Sequence, residues 1–348
     1  MTTSTLPTMT TSREWHLTRR PHGVPVDEDF ALVEVDLPAP GEGEIVVRNT
    51  YHSVDPYMRG RMNSAKSYVP AFQLDQPMDG EAVGVVEQVG AAALDSNGSA
   101  IEAGDTVIHR FGWRTHALVP ASSARILDTS LAPAQAYLGV LGMPGLTAYA
   151  GLLRIAKLVE GDRVFVSSGA GAVGSMVGQL ARLKGASLVV GSAGGPEKTA
   201  WMLDEAGFDV AIDYKATPIR KGLPEAAPEG IDVYFDNVGG DHLEAAISAL
   251  RPGGRAAICG MISLYNATEA TPGPRNLAMI VGKRLTLRGF LVFDHSDLRP
   301  QFEAEVGGWL ADGKIAWRES VVDGIENALN GFRDLMAGSN KGKMLIRL

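Results

Sequence analysis

Gly169, Gly171 and Gly174 stand at G-x-G-x-x-G spacing within VFVSSGAGAVGSMVGQLARLKG. This spacing suits a phosphate-binding turn for steric reasons. A side chain in the turn would block a pyrophosphate, and one at the last glycine would hold the following helix off the preceding strand. The helix N terminus then offers free N–H groups to the anion. The flanks agree: Val164 to Ser168 reads as a strand, and Val173, Met176, Val177, Leu180 and Leu183 repeat at helical intervals. A glycine-rich turn in a non-binding α/β domain is the plainer alternative, because the bare pattern recurs by chance.

The end of the next strand bears on which dinucleotide would fit. SLVVGSAGGPEK lacks the acid that usually holds an NAD ribose. Gly191, Gly194 and Gly195 leave room there, Pro196 suits a helix start, and Lys198 falls in the first turn. A lysine at that point opposes the helix dipole. A 2′-phosphate would compensate it, favouring NADP over NAD, while a solvated surface lysine is the alternative. Zinc chemistry finds little support. NTYHSVDPYM offers His52 and Asp55 without a cysteine, a poor tetrahedral set, so no metal is expected. Cys259 is the single cysteine, which excludes an intrachain disulfide and reads as a small buried hydrophobe.

The elements that must position these residues follow from the whole chain. Its 348 residues suggest two domains, and 45% hydrophobic with 21% charged residues is ordinary for a globular protein. The net charge of −8 and the lack of a basic run argue against nucleic acid. No apolar window is long enough for a membrane span, and no signal peptide is evident, so a cytoplasmic protein is expected. The first third reads as short β-strands punctuated by Pro, Gly, Asp and Asn. From about Leu138 strands alternate with helices, as in a parallel sheet covered on both faces. The Thr/Ser-rich residues 1–12 are expected to be disordered.

GAGAVGSMVGQLARLKG, AGGPEK, DVYFDNVGG, ICGMISLYNAT and SVDPYMRGRM together resemble the medium-chain dehydrogenase/reductase superfamily. Within it they resemble the zinc-independent branch of leukotriene B4 12-hydroxydehydrogenase/prostaglandin reductase and plant 2-alkenal reductases, which also contains bacterial NADPH-dependent curcumin/dihydrocurcumin reductases. The likeness runs from RPHGVP to KGKMLIRL. It implies a Rossmann doubly wound parallel sheet at 138–308 and a GroES-like β-rich substrate domain at 13–137, with 309–348 returning to the substrate domain. It also implies a ligand cleft between them, a homodimer joined through the Rossmann domains by LTLRGFLVF, and reduction of the C=C bond of enones or enals by NADPH.

The resemblance assigns cofactor contacts position by position. Gly171, Ala172, Val173 and Gly174 would face the pyrophosphate, Lys198 and Tyr214 the 2′-phosphate, and Asn237 the ribose. Cys259, Gly260, Met261, Ile262, Ser263, Leu264 and Tyr265, with Phe290, Leu291 and Val292, would line the nicotinamide. Asn340, Met143 and Thr147 would also lie near the cofactor. EATPGPRN would border the substrate entrance, and AALDSNGSAIEAGD is a variable surface loop.

Enone reduction without a metal needs a hydrogen-bond donor for the carbonyl oxygen that becomes an enolate. Tyr265 is the first candidate, a loop-fixing tyrosine its alternative. Tyr57 is the second, with packing beside Pro56 its alternative, and Arg59 and Arg61 read as structural. A zinc-independent NADPH quinone reductase and a non-catalytic NADPH-binding protein are the competing readings. SLYNATEATPGP favours the alkenal-reductase branch over the former.

Overall fold

A computed structural model describes residues 9–348. The chain begins with β1 (Thr10–Leu17), β2 (Phe30–Leu37), β3 (Glu44–Ser53), α1 (Tyr57–Arg61), β4 (Ala82–Val89), β5 (Thr106–His109), β6 (His116–Pro120) and β7 (Arg125–Ile126). Next come α2 (Met143–Tyr149), β8 (Arg163–Val166), α3 (Ala172–Leu183), β9 (Leu188–Ala193), α4 (Pro196–Asp204), β10 (Val210–Asp213) and α5 (Ile219–Ala226). They are followed by β11 (Ile231–Asp236), α6 (Gly240–Ala249), β12 (Leu250–Ile258), α7 (Ala278–Lys283), β13 (Thr286–Gly289) and α8 (Arg299–Ala311). The chain closes with β14 (Glu319–Asp323), α9 (Ala328–Met336) and β15 (Lys343–Arg347). Among the described residues no helix is long and apolar enough to cross a membrane.

The chain forms two compact units. One holds the residues up to Leu138 together with Val321–Ala337 and Met344–Leu348. The path β14-β15-β3-β4-β5-β7 is its main sheet, with β6 also paired to β3, and β1 and β2 form an antiparallel pair. Trp113, Met58, Met62, Met78 and Phe332 fill one of its cores. α1 sits there because its cations are satisfied locally. Arg61 pairs with Asp79 and lies over the Phe72 ring, and Arg59 donates to Asn63 Oδ1 at 2.8 Å and to the Gly23 carbonyl.

The other unit, Gly139–Ser320 with Gly338–Lys343, holds six parallel strands in the order β10-β9-β8-β11-β12-β13. Numbered from β8 this is 3-2-1-4-5-6, the doubly wound dinucleotide order, whose switch point lies between β8 and β11. α3 is buried over more than one face. Met176, Val177 and Leu180 are buried as their spacing requires, and so is Gln179, whose side chain exchanges two hydrogen bonds with the Ala316 backbone at 2.9 and 2.8 Å. α2 runs on into a π-helical turn, Ala150–Ile155, where Gly151 lies against the Phe235 and Phe290 rings.

Three expectations need correction. Residues 1–8 lie outside the described residues, but Thr10–Ser12 belong to β1 instead of a disordered tail. Ser12 is fully buried and donates to the His116 carbonyl at 2.7 Å. The segment 309–348 does not return as one piece: residues up to Ser320 and the loop Gly338–Lys343 stay with the parallel sheet. Local contacts hold them, including Gln179 to Ala316, Arg318 to Glu205 and over Trp201, and Gly342 N–H to the Ala170 carbonyl at 2.8 Å. Finally, the strand expected over LTLRGFLVF ends at Gly289, because 292–298 turn into a 3₁₀ segment.

Candidate active site

The glycine turn follows β8, at the carboxyl end of the parallel strands. Ser168 stands at φ 53°, in the left-handed region, and reverses the chain there. A Cβ on Gly174 would meet the Ser168 carbonyl oxygen at 2.1 Å, so helix and turn pack closer than any side chain permits. A Cβ on Gly169 would meet Met202 Cε at 2.5 Å, whereas on Gly171 its nearest neighbour would be Ser168 Oγ at 3.1 Å. α3 has no side-chain N-cap, so the Ala172, Val173 and Gly174 N–H groups in its first turn lack intrahelical acceptors. A neutral backbone cradle at a helix start is what a pyrophosphate needs.

The loops after β11 and β12 are tied into one surface beside this turn. Ser167, fully buried, accepts the Asn237 N–H on its Oγ at 2.9 Å and Asn237 Nδ2–H on its carbonyl at 2.8 Å. Asp236 anchors the next residues. Its Oδ1 accepts from the Tyr234 hydroxyl at 2.6 Å, Gly239 N–H at 2.8 Å and Val238 N–H at 3.0 Å. Burial pushes its carboxyl above the usual range, and its Oδ2 has no hydrogen-bond partner. Its backbone carbonyl accepts from Cys259 and Gly260 N–H, while Ile262 and Ser263 bond back to the Asn237 and Val238 carbonyls.

Cys259 to Tyr265 therefore form one surface with Asn237, while the Phe290 ring lies edge-on to Phe235 of β11 at 6.2 Å. Leu291 and Val292 follow Phe290 and are partly buried. Within the loop the Tyr265 hydroxyl accepts from Met261 N–H at 3.4 Å, which leaves its own proton free to donate. Burial, followed by the Cys259 and Asp236 charges, raises its pKa against the lowering pull of that N–H, so it is neutral at pH 7. The Cys259 thiol is pushed up to about 12 by burial and by Asp236, so it is no thiolate nucleophile.

Just beyond β9, Lys215 lies against Gly194, and Lys215 and Lys341 lie near Lys198. A Cβ on Gly194 would meet Lys215 Cε at 2.8 Å and the Tyr214 hydroxyl at 3.0 Å. Asp213 Oδ1 ties the two loops together by accepting from Gly195 N–H at 2.9 Å and Lys215 N–H at 3.0 Å. Lys198 is half-buried, and burial with the Lys215 and Lys341 charges lowers its pKa. Such a like-charged cluster beside the start of α4 suits an anion with more than one negative charge. The Tyr214 ring lies edge-on to His242 at 5.3 Å.

The loop Gly338–Lys343, between α9 and β15, closes this side. Gly342 bridges Gly171, Asn340 Nδ2–H donates to the Gly342 carbonyl at 2.7 Å, and Lys198 Nζ donates to the Gly338 carbonyl at 2.6 Å. The structure thus brings Gly171 to Gly174, Lys198, Tyr214, Asn237, Cys259 to Tyr265 and Asn340 onto the carboxyl end of one sheet. Met143 and Thr147 lie on α2, joined to each other by Thr147 Oγ1–H to the Met143 carbonyl at 2.7 Å. Tyr57 opens α1 in the other unit, packed against its core, and burial, Asp55 and Glu81 raise its pKa. Sequence reasoning missed Ser167, Tyr234 and Asp236, and it missed Lys341 although Asn340 stands next to it.

The comparisons with known proteins agree with this geometry. Residues 13–127 match the N-terminal domain of oxidoreductase family and residues 172–306 the zinc-binding dehydrogenase family. NADPH-dependent curcumin reductase of Escherichia coli is 41% identical over 343 residues, covering 97% of each chain. The NADP(+)-dependent 2-alkenal reductase of Nicotiana tabacum is 38% identical, over 93% of this chain and 94% of its own. The chain belongs to the zinc-independent medium-chain dehydrogenase/reductases. Of this family, the crystal structure of CurA from Vibrio vulnificus in complex with NADPH superposes with a TM-score of 0.90, at 42% identity over 96% of this chain and 98% of that one. Among the described residues no three or more His, Cys, Asp or Glu side chains gather to hold a metal ion, and the His52 ring packs on Trp113 at 5.2 Å.

Proposed function

We propose that this chain is an NADPH-dependent reductase of the C=C bond in α,β-unsaturated ketones and aldehydes. The observation that carries the cofactor half is the cluster of Lys198, Lys215 and Lys341 beyond the end of β9, where an NAD enzyme would place an acid. The relatives' names support the substrate half. NADPH, when bound, supplies a hydride for the β-carbon of the substrate. Gly171, Ala172, Val173 and Gly174 hold its pyrophosphate, Lys198 and Tyr214 its 2′-phosphate, and Asn237 its ribose. Cys259 to Tyr265 and Phe290 to Val292 line the nicotinamide, and Asn340, Met143 and Thr147 complete the contacts.

The protein's chemical task is then to stabilise negative charge on the carbonyl oxygen. Tyr265 does this as a neutral donor, since burial keeps its proton in place at pH 7. Tyr57, also held neutral, is the second donor of the proposal. Following NADPH consumption over a panel of enones, enals, quinones and alcohols tests the reading. Turnover is expected on enones and enals, and preference for quinones or alcohols would refute it.

The reading extends to assembly and location. β13 is an edge strand, and beside it Val281 is 81%, Leu277 49% and Phe293 48% exposed. A homodimer formed by pairing β13 with a second copy would cover this apolar edge. Light scattering should then give twice the chain mass, and a monomer at micromolar concentration would refute the dimer. A cytoplasmic location suits a chain with a single cysteine.

A further inference from the structure

The loop Gly338–Lys343 is held to two adjacent residues of α4 by two different cations. Lys198 reaches out from α4 to the Gly338 carbonyl at 2.6 Å. Lys341 reaches back from the loop to Glu197 Oε2 at 2.7 Å. The loop backbone is fixed independently of both, by Gly342 N–H to the Ala170 carbonyl, by the Lys341 N–H to Ser320 Oγ at 2.9 Å and by Lys343 N–H to the Arg318 carbonyl at 2.9 Å. Lys341 is therefore presented from a backbone held by three hydrogen bonds, near Lys198, and its side chain meets a carboxylate that is itself 79% exposed.

An exposed ion pair of this kind contributes little to stability. Glu197 also stands at the start of α4, next to Lys198 in the chain and paired with Lys341, in the place where a phosphate would be neutralised. From this the geometry points to Lys341 as a specificity-determining residue for the 2′-phosphate of NADPH, with Glu197 holding the phosphate's place in the free protein. A 2′-phosphate carries nearly two negative charges and three acceptor oxygens, so it outbids a single solvated carboxylate for the same ammonium. NADH carries only hydroxyls there and leaves the Lys341–Glu197 pair undisturbed. The inference rests on the NADPH reading above and adds a residue to it.

Calorimetric titration of the full chain with NADPH, NADH, 2′,5′-ADP and 5′-AMP tests it. Lys341→Gln should weaken NADPH and 2′,5′-ADP about tenfold, the size of one charge-assisted hydrogen bond, and move NADH and 5′-AMP less than about twofold. Glu197→Gln should tighten NADPH and 2′,5′-ADP by about threefold at low salt, because it removes the competing carboxylate. Equal weakening of all four ligands by Lys341→Gln, or no change in NADPH, would overturn the role of Lys341. Weaker or unchanged NADPH binding in Glu197→Gln would overturn the stand-in role of the carboxylate. Wild-type protein that binds NADH as tightly as NADPH would instead overturn the NADPH reading itself.

Discussion

Replacing Gly174 with alanine separates the two reasons for glycine in the phosphate turn. The added methyl would lie 2.1 Å from the Ser168 carbonyl oxygen and 2.8 Å from its carbon, where ordinary contact begins at 3.4 Å. The clashing atoms are backbone, in a residue already held at φ 53°, so they cannot rotate aside. α3 must move by about 1 Å or the turn must open, and overpacking of this kind costs about 1–3 kcal/mol. For a unit of this size 1 kcal/mol moves Tm by about 2–4 °C, so Gly174→Ala should melt several degrees lower without any cofactor. Gly171→Ala is different. Its methyl would meet Ser168 Oγ at 3.1 Å and the Ser168 carbonyl oxygen at 3.3 Å, contacts that a few tenths of an ångström of movement relieve, so it should lose less stability than Gly174→Ala. Both variants should bind NADPH at least about tenfold more weakly, since a displaced or crowded turn loses its amide contacts. Differential scanning calorimetry on the apo proteins and fluorescence titration with NADPH give the two readouts. Equal melting temperatures for the two variants, or wild-type NADPH binding in either, would refute the packing argument.

Tyr265→Phe should lower kcat on enones by about ten- to a hundredfold, the loss of one donor to a developing oxyanion, with NADPH affinity unchanged. Unchanged kcat would remove the hydroxyl from the chemistry. Burial holds the His242 imidazole down to about 4 from its ordinary 6.5, so an unfolded chain takes up that proton first. Stability is therefore present above pH 6.5 and falls toward about 4, at about 1.4 kcal/mol per pH unit for this group. His242→Gln should flatten the melting curve over that window by one proton's worth, and identical pH dependence in both proteins would show that His242 is not the group.

What was legible in the sequence is what sterics impose locally. The glycine turn, the strand before it and the helix after it form one contiguous segment, and the missing acid after β9 can be read at a glance. Lys198 and Tyr214 were marked for the same anion, and the structure adds Lys215 and Lys341 to the cluster. Lys341 escaped notice because it lies more than a hundred residues from Lys198 and its neighbours are fixed by tertiary hydrogen bonds. Asp236 looked like an ordinary strand end in VYFDN. Only the fold shows its side chain buried under Val238 and Gly239, with its backbone carbonyl holding the next loop. The Thr/Ser run at the start suggested disorder by composition, yet Ser12 finds an acceptor 104 residues away in the chain. Gln179 shows the same limit: a polar residue on a helix reads as solvent-facing until the Ala316 backbone arrives to satisfy it.

The most direct test follows the hydride itself. NADPH deuterated at the transferable nicotinamide C4 position is mixed with the protein and an enone, and the product is analysed by NMR. The account predicts a saturated ketone with its carbonyl intact and deuterium on the former β-carbon. Deuterium on a newly formed carbinol carbon, or an enone left unchanged while NADPH remains unused, would contradict it.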